Sequence, residues 1–190
     1  MSSSFSIAVV IVNWNAGPYL KKCLQSLETQ TLKPARVLIV DNASTDDSIK
    51  GLDEEFGDYE LIRLETNTGF AFANNLAVKQ ADNCDWIAFL NPDAFARPEW
   101  LEKLTQAAEK FPECVSFGSH MLKHGSDKID GTGDIYHVCG SAWRRDFGVA
   151  SLKVDREMGE IFSPCAAASF IRNDIFSEVG GFDENFFAYY

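Results

Sequence analysis

Basic charge is scarce in this sequence: 17 Lys and Arg stand against 28 Asp and Glu, a formal charge of −11. Nucleic-acid binding needs clustered Lys and Arg to displace counterions, so a partner held along a phosphate backbone is argued against. A smaller phosphate ester would have to be held locally, by a metal ion or by backbone amides. Close cysteine pairs are missing as well. Cys23, Cys84, Cys114, Cys139 and Cys165 lie singly and are odd in number, which suits a reducing compartment better than a disulfide framework. No basic stretch followed by a long apolar run opens the chain, and no run elsewhere is long enough to span a bilayer. The expected location is the cytoplasm. There is also no glycine-rich phosphate loop after the first apolar run, where Asn13-Trp14-Asn15-Ala16-Gly17 stands instead. That argues against a dehydrogenase or a sugar nucleotidyltransferase, both of which would need one. Internal repeats and low-complexity tracts are absent too.

What the sequence does contain is one repeated theme: a short β-branched run, a polar break, then a segment with helical spacing. Ile7 to Val12 precedes a helix expected to begin near Pro18, with Leu20, Leu24 and Leu27 on one face. Val37 to Val40 precedes Ser44-Thr45-Asp46-Asp47, whose hydroxyls and acids predict a helix start. Tyr59 to Leu64 leads through Asn67-Thr68-Gly69 into a helix ending near Gln80, and Trp86 to Leu90 leads through Asn91-Pro92-Asp93 to a helix after Pro98. Alternation of this kind implies a parallel sheet with helical crossovers, so the fold class is α/β. From Lys123 to Glu160 the pattern lapses into loops and short strands, and it returns as an apolar run from Ala166 to Ile171 and a short helix over Asp174 to Val179. With 46% hydrophobic residues in 190, one folded unit is expected.

In an open parallel sheet the carboxyl ends of the strands share one edge, where ligands bind. Those ends carry Asn13-Trp14-Asn15, Asp41-Asn42, Asn67-Thr68-Gly69 and Asn91-Pro92-Asp93. Together they offer amides, carboxylates and an indole. Asn, Asp, Gly and Pro are also what any strand-to-helix turn prefers, and Trp14 could equally be a core residue. Asp93 is the least easily explained by a turn alone.

Val9-Val10-Ile11-Val12-Asn13-Trp14-Asn15, Val40-Asp41-Asn42-Ala43-Ser44-Thr45-Asp46, Asn67-Thr68-Gly69-Phe70-Ala71 and Phe89-Leu90-Asn91-Pro92-Asp93 resemble, in order and spacing, the family-2 inverting glycosyltransferases of GT-A fold, and most closely their rhamnosyltransferase-like branch. The resemblance continues in Cys165 to Arg172 and Val179 to Phe187. It implies a three-layer, mostly parallel sheet flanked by helices, and a single domain over 1–190. Residues 1–121 would be its nucleotide-sugar-binding half and 122–190 a partial acceptor-side half. The implied reaction transfers a hexose from a UDP- or dTDP-linked sugar to a saccharide or lipid-linked acceptor with inversion, in polysaccharide or glycoconjugate synthesis, at the inner face of the membrane.

The same resemblance implies residue roles. Trp14 and Asn15 would flank the nucleobase, Asp41 would accept a hydrogen bond from it, and Asn67 with Gly69 would line the nucleotide pocket. Asp93, with Asn91 beside it, would hold Mg²⁺ or Mn²⁺ against the diphosphate. Asn91 departs from the family's pattern, which has Asp there. Ala166 and Ala167 would face the acceptor. The catalytic base would follow just after Tyr190, and the resemblance matches Asp183 and Glu184 to a structural turn rather than to that base. The expectation is therefore a chain that continues past Tyr190 and, as given, binds donor but transfers sugar poorly. A non-catalytic nucleotide-sugar-binding or assembly module is the alternative.

Two other clusters stand out. His120, His124, His137 and Cys139 follow no established zinc spacing and read as loop residues. Trp143-Arg144-Arg145 could meet an anionic acceptor such as a lipid-linked diphosphate, though a solvated pair is the simpler reading.

Overall fold

The computed structural model describes residues 5–154 and 157–188. In chain order the elements are β1 (Ile7–Asn13), α1 (Tyr19–Glu28), β2 (Arg36–Asp41), α2 (Leu52–Glu55), β3 (Glu60–Arg63), α3 (Gly69–Gln80), β4 (Trp86–Leu90), α4 (Trp100–Lys110), β5 (Ser116–Gly118), β6 (Met121–Leu122), β7 (Ile129–Gly131), β8 (Asp134–Tyr136), β9 (Ala142–Arg144), β10 (Ala168–Arg172) and α5 (Asn173–Glu178). Six strands form one sheet in the order β3-β2-β1-β4-β10-β5. The first four run parallel, and β10 lies antiparallel between β4 and β5.

The central strands are nearly continuous runs of β-branched and other apolar residues because both of their faces are covered. On β1, Ile7, Val9 and Ile11 face a core that also holds Leu20, Leu24 and Leu27 of α1 and Leu101 and Leu104 of α4. Ala8 and Val10 face the opposite core, with Ala73, Ala77 and Val78 of α3 and Phe176 of α5. This is the three-layer arrangement that the family resemblance implied. Burying each large side chain contributes about 1.5–3 kcal/mol. Trp86 of β4 stacks on Phe170 of β10 at 4.5 Å between ring centroids. That contact helps seat the reversed strand.

One expected element moves. Ser44 to Asp47 do not start a helix: residues 44–51 form bends and turns, and α2 is confined to Leu52–Glu55. The groups that would have capped a helix are engaged across the loop instead. Ser44 and Ser48 accept hydrogen bonds from Asn13 Nδ2, and Asp46 accepts one from the Gly17 N–H. Between β5 and β10 the chain forms two small antiparallel ladders, β6 with β7 and β8 with β9. A bridge between Asp134 and Ser163 ties the second ladder to the segment leading into β10.

Candidate functional site

Strand order reverses at β1, since β2 and β3 lie on one side of it and β4 on the other. Open α/β sheets bind ligands outside the carboxyl ends of the strands at such a reversal. The residues at this one are Asn13 at the end of β1 with Trp14 after it, Asp41 at the end of β2, and Asn91 to Asp93 after β4. Asn13 stands opposite Asp41, and Val10 opposite Phe89. With strands about 4.8 Å apart, Asp41 and the end of β4 lie roughly 10 Å from each other across β1. That is comparable with the reach of a ribose carrying a base at one end and phosphate at the other.

Two loops at this edge are cross-linked by side chains. Asn13, fully buried, donates through Nδ2 to Asp41 Oδ1 at 2.8 Å, as well as to the two serines. Among the described residues nothing else hydrogen-bonds Asp41's side chain. Asn15, in a left-handed conformation with φ of 51°, accepts through Oδ1 from the Thr45 N–H at 2.8 Å. Ala43 is left-handed as well, with φ of 60°. Such conformations cost of order 1–3 kcal/mol and persist where the surroundings over-determine them. Trp14 sits between these anchored loops with 57% of its surface exposed, so it is not a core residue.

Asn42 couples the next loop. It donates to Asn67 Oδ1 at 2.9 Å and to the Gly69 carbonyl at 3.1 Å, and it accepts from the Thr68 N–H at 2.8 Å. Asn67 Oδ1 also accepts from the Gly69 N–H at 2.9 Å. The Asn67 carbonyl is thus occupied within the loop, as is that of Asn15. At Gly69 (φ 83°) an added Cβ would lie 2.3 Å from the Phe187 carbonyl oxygen, which accepts from the Phe70 N–H at 2.6 Å. The segment around Phe187 is therefore seated on the first turn of α3. Asn75 of α3 holds the same segment by exchanging hydrogen bonds with the backbone of Phe182 and donating to Glu184. Asp183 accepts from Asn185, so both acids serve the turn, as their sequence position suggested.

The β4 end is anchored from two sides. The Asn91 N–H donates to the Ala167 carbonyl at 2.9 Å, which places the Ala166-Ala167 turn beside Asn91-Pro92-Asp93. From below, Cys23 and Ser26 of α1 reach up to it, together with Gln30 two residues beyond the helix end. The Cys23 thiol points to the Asn91 carbonyl at 3.6 Å, Ser26 Oγ accepts from the Ala96 N–H at 3.0 Å, and buried Gln30 spans the Arg97 carbonyl and the Leu101 N–H. Burial, reinforced by the Asp93 carboxylate, pushes the Cys23 thiol up to about 12. Asp93 itself is exposed and, among the described residues, has no hydrogen-bond or ion-pair partner. No group of three His, Cys, Asp or Glu side chains converges here or elsewhere among the described residues. A lone carboxylate of this kind suits a divalent ion whose other ligands are phosphate oxygens and water.

The profile of glycosyl transferase family 2 matches residues 8–180 of the sequence. The chain belongs to that family. An N-acetylglucosaminyl-diphospho-decaprenol L-rhamnosyltransferase of Mycobacterium tuberculosis is 26% identical to this family-2 chain over 207 residues, covering 96% of it and 66% of the relative. The chain thus spans about two thirds of that protein's length. Among solved structures, S. aureus TarS 1–349 in complex with UDP superposes with a TM-score of 0.66 at 18% identity, over 96% of this chain and 51% of that one. GalNAc-T7 with UDP, GalNAc and Mn²⁺ reaches 0.76 at 18% identity, over 98% and 38%. The fold is GT-A.

Within this family-2 domain, Trp14, Asn15, Asp41, Asn67, Gly69, Asn91, Asp93, Ala166 and Ala167 all lie at the carboxyl edge of the sheet or in the turn hydrogen-bonded to it. Sequence reasoning did not single out Asn42, Gln30 or Phe187. Asn42 carried a signal in its place beside Asp41, whereas Gln30 and Phe187 act through contacts far along the chain. Elsewhere, His124 packs edge-on against Phe95, while His137 Nδ1 lies 3.0 Å from Cys139 Sγ on the exposed β8–β9 turn. Arg144 is paired with Asp130, and Arg145 hydrogen-bonds Thr132 and lies 3.9 Å from Asp146. The position expected for a base, past Tyr190, lies outside the described residues, as do Tyr189 and Tyr190 themselves.

Proposed function

We propose that this chain is the donor-binding domain of a metal-dependent, inverting hexosyltransferase. In that reading it takes a sugar from a nucleoside diphosphate for cell-surface polysaccharide or glycoconjugate synthesis. The observation that carries the reading is the pairing of Asp41 and Asp93 on either side of β1, with the exposed Trp14 indole between them. Asp41 offers its unpartnered oxygen to an N–H of a uracil or thymine ring, and Trp14 offers a face for that base. Asn15, Asn67 and Gly69 shape the pocket through the loops they hold.

Asp93, supported by Asn91, would hold Mg²⁺ or Mn²⁺, and the bound ion would supply the Lewis acidity that stabilises the departing diphosphate. Ala166 and Ala167, small and held beside the metal loop by the Asn91 N–H on the Ala167 carbonyl, would leave room for the acceptor hydroxyl. Residues 1–121 would form the donor half and residues 122–190 would contribute to the acceptor side. Support comes from the family match, from the mycobacterial relative whose name specifies rhamnosyl transfer to a lipid diphosphate, and from structural neighbours carrying UDP or Mn²⁺.

Calorimetric titration with UDP, dTDP and GDP, each with and without Mn²⁺, tests this reading. The expected result is Mn²⁺-enhanced binding of UDP or dTDP, an enhancement abolished by Asp93→Ala, and base selectivity lost in Asp41→Ala. Binding that needs no metal and is indifferent to Asp93→Ala would overturn the assignment.

A further inference from the structure

The β9 region carries an opening that the donor reading does not use. Trp143, Arg144, Asp146, Phe147 and Val149 line a space of about 590 Å³, within the range of small-molecule sites. Trp143 and Phe147 remain 48% and 57% exposed, so both rings present surface to solvent. Contacts place the opening beside the metal loop. Phe95, two residues beyond Asp93, meets His124 at 4.9 Å, and the neighbouring Lys123 sits 3.8 Å from the Phe147 ring centroid. From the other side Arg144 Nη2 lies 3.4 Å from Cys165 Sγ, at the start of the Ala166-Ala167 turn.

We infer that this pocket is a subsite for an uncharged pyranose of the acceptor, an inference that rests on the donor-site reading above. An anionic diphosphate would need uncompensated cations. Here Arg144 is paired with Asp130, Arg145 is engaged by Thr132 and approaches Asp146, and Lys123 is over an aromatic face. The remaining offer is two aromatic surfaces rimmed by a guanidinium and a carboxylate. That combination suits a pyranose, whose C–H face packs on a ring while its hydroxyls exchange hydrogen bonds with charged side chains. The arginines of this segment are thus engaged by Asp130 and Thr132 rather than left to neutralise a lipid-linked diphosphate.

Saturation-transfer NMR on the 190-residue chain tests the subsite. The probes are the methyl glycosides of N-acetylglucosamine, glucose and rhamnose at millimolar concentration, with inorganic pyrophosphate, followed by the broadening of its phosphorus resonance, as the anionic arm and UDP with Mn²⁺ titrated in parallel. At least one glycoside should receive saturation, and the signal should vanish in Trp143→Ala and Phe147→Ala, with thermal melting and UDP affinity unchanged. Phe147→Leu, which keeps bulk but not the ring, should also lose it. Absence of any glycoside signal in the wild type, a signal that survives all three substitutions, or binding of pyrophosphate alone would each overturn the inference. If UDP fails to bind while the glycoside signal depends on Trp143, the donor reading falls and the carbohydrate site stands.

Discussion

At Gly69 a single hydrogen atom in place of a methyl group decides whether two distant segments can meet. The residue is left-handed, and any Cβ there would overlap the Phe187 carbonyl. Gly69→Ala is expected to cost about 1–3 kcal/mol from backbone strain alone. It should also release the segment around Phe187 from α3, seen as faster proteolysis after residue 182 and a lowered melting temperature. Two cysteines provide a second contrast at this scale. Hydrogen bonds with Ser141 and His137 hold the exposed Cys139 thiol down at about 7, whereas burial and Asp93 push Cys23 up to about 12. A depressed pKa means that thiolate is already present above it. Alkylation of Cys139 by iodoacetamide should therefore rise through about pH 7, Cys23 should stay unmodified in the folded chain, and His137→Ala should move the Cys139 midpoint upward.

Among the elements, α1 has the least obvious task. Its apolar face builds the core, and Cys23 and Ser26 of the helix, with Gln30 just past its end, hold the stretch from Asn91 to Leu101 by its backbone. Removing a buried amide with several partners leaves those partners unsatisfied, at about 1–3 kcal/mol. Gln30→Ala is expected to lower stability by that order in urea denaturation and to weaken UDP binding in the presence of Mn²⁺. Metal-free UDP binding should change little, because Gln30 reaches the loop of Asp93 and not that of Asp41. Equal weakening with and without metal would show that α1 supports the whole edge instead. α2 shows the reverse relation between local and tertiary demands. Its capping residues serve Asn13 and Gly17, so a segment with a good helix start forms only one turn of helix.

For the molecule as a whole, charge sets the conditions under which an anionic donor can approach. A surface of net charge −11 repels a nucleoside diphosphate over distances on the order of the ~10 Å Debye length at 0.1 M salt. Chelating divalent ions should accordingly weaken UDP binding. In the metal-free state, the association rate should increase as salt is raised from low to moderate concentration, because screening removes repulsion. Stopped-flow fluorescence of Trp14 would follow both effects, and a metal-free rate that falls with salt would show a locally positive approach path.

The alternation of β-branched runs with helical spacing was enough to define the α/β class, the parallel sheet and the edge on which ligands gather, because periodicity reports which faces are buried; the three layers were implied by the family resemblance. It also located Asp41 and Asp93, since strand ends follow from strands. The sequence left Trp14 open between core and site. Only the assembled sheet decides that, by leaving Trp14 57% exposed. The antiparallel return of β10, the truncation of α2 and the roles of Asn42, Gln30 and Phe187 likewise depended on tertiary structure. Each arises from hydrogen bonds or contacts between residues far apart in the chain, for which a local pattern carries no signal. Residues 123–160 were legible only as irregular, because short ladders bury too little to impose a period. A bridge from Asp134 to Ser163 and the Arg144–Cys165 contact tie this region to the segment that leads into the Ala166-Ala167 turn.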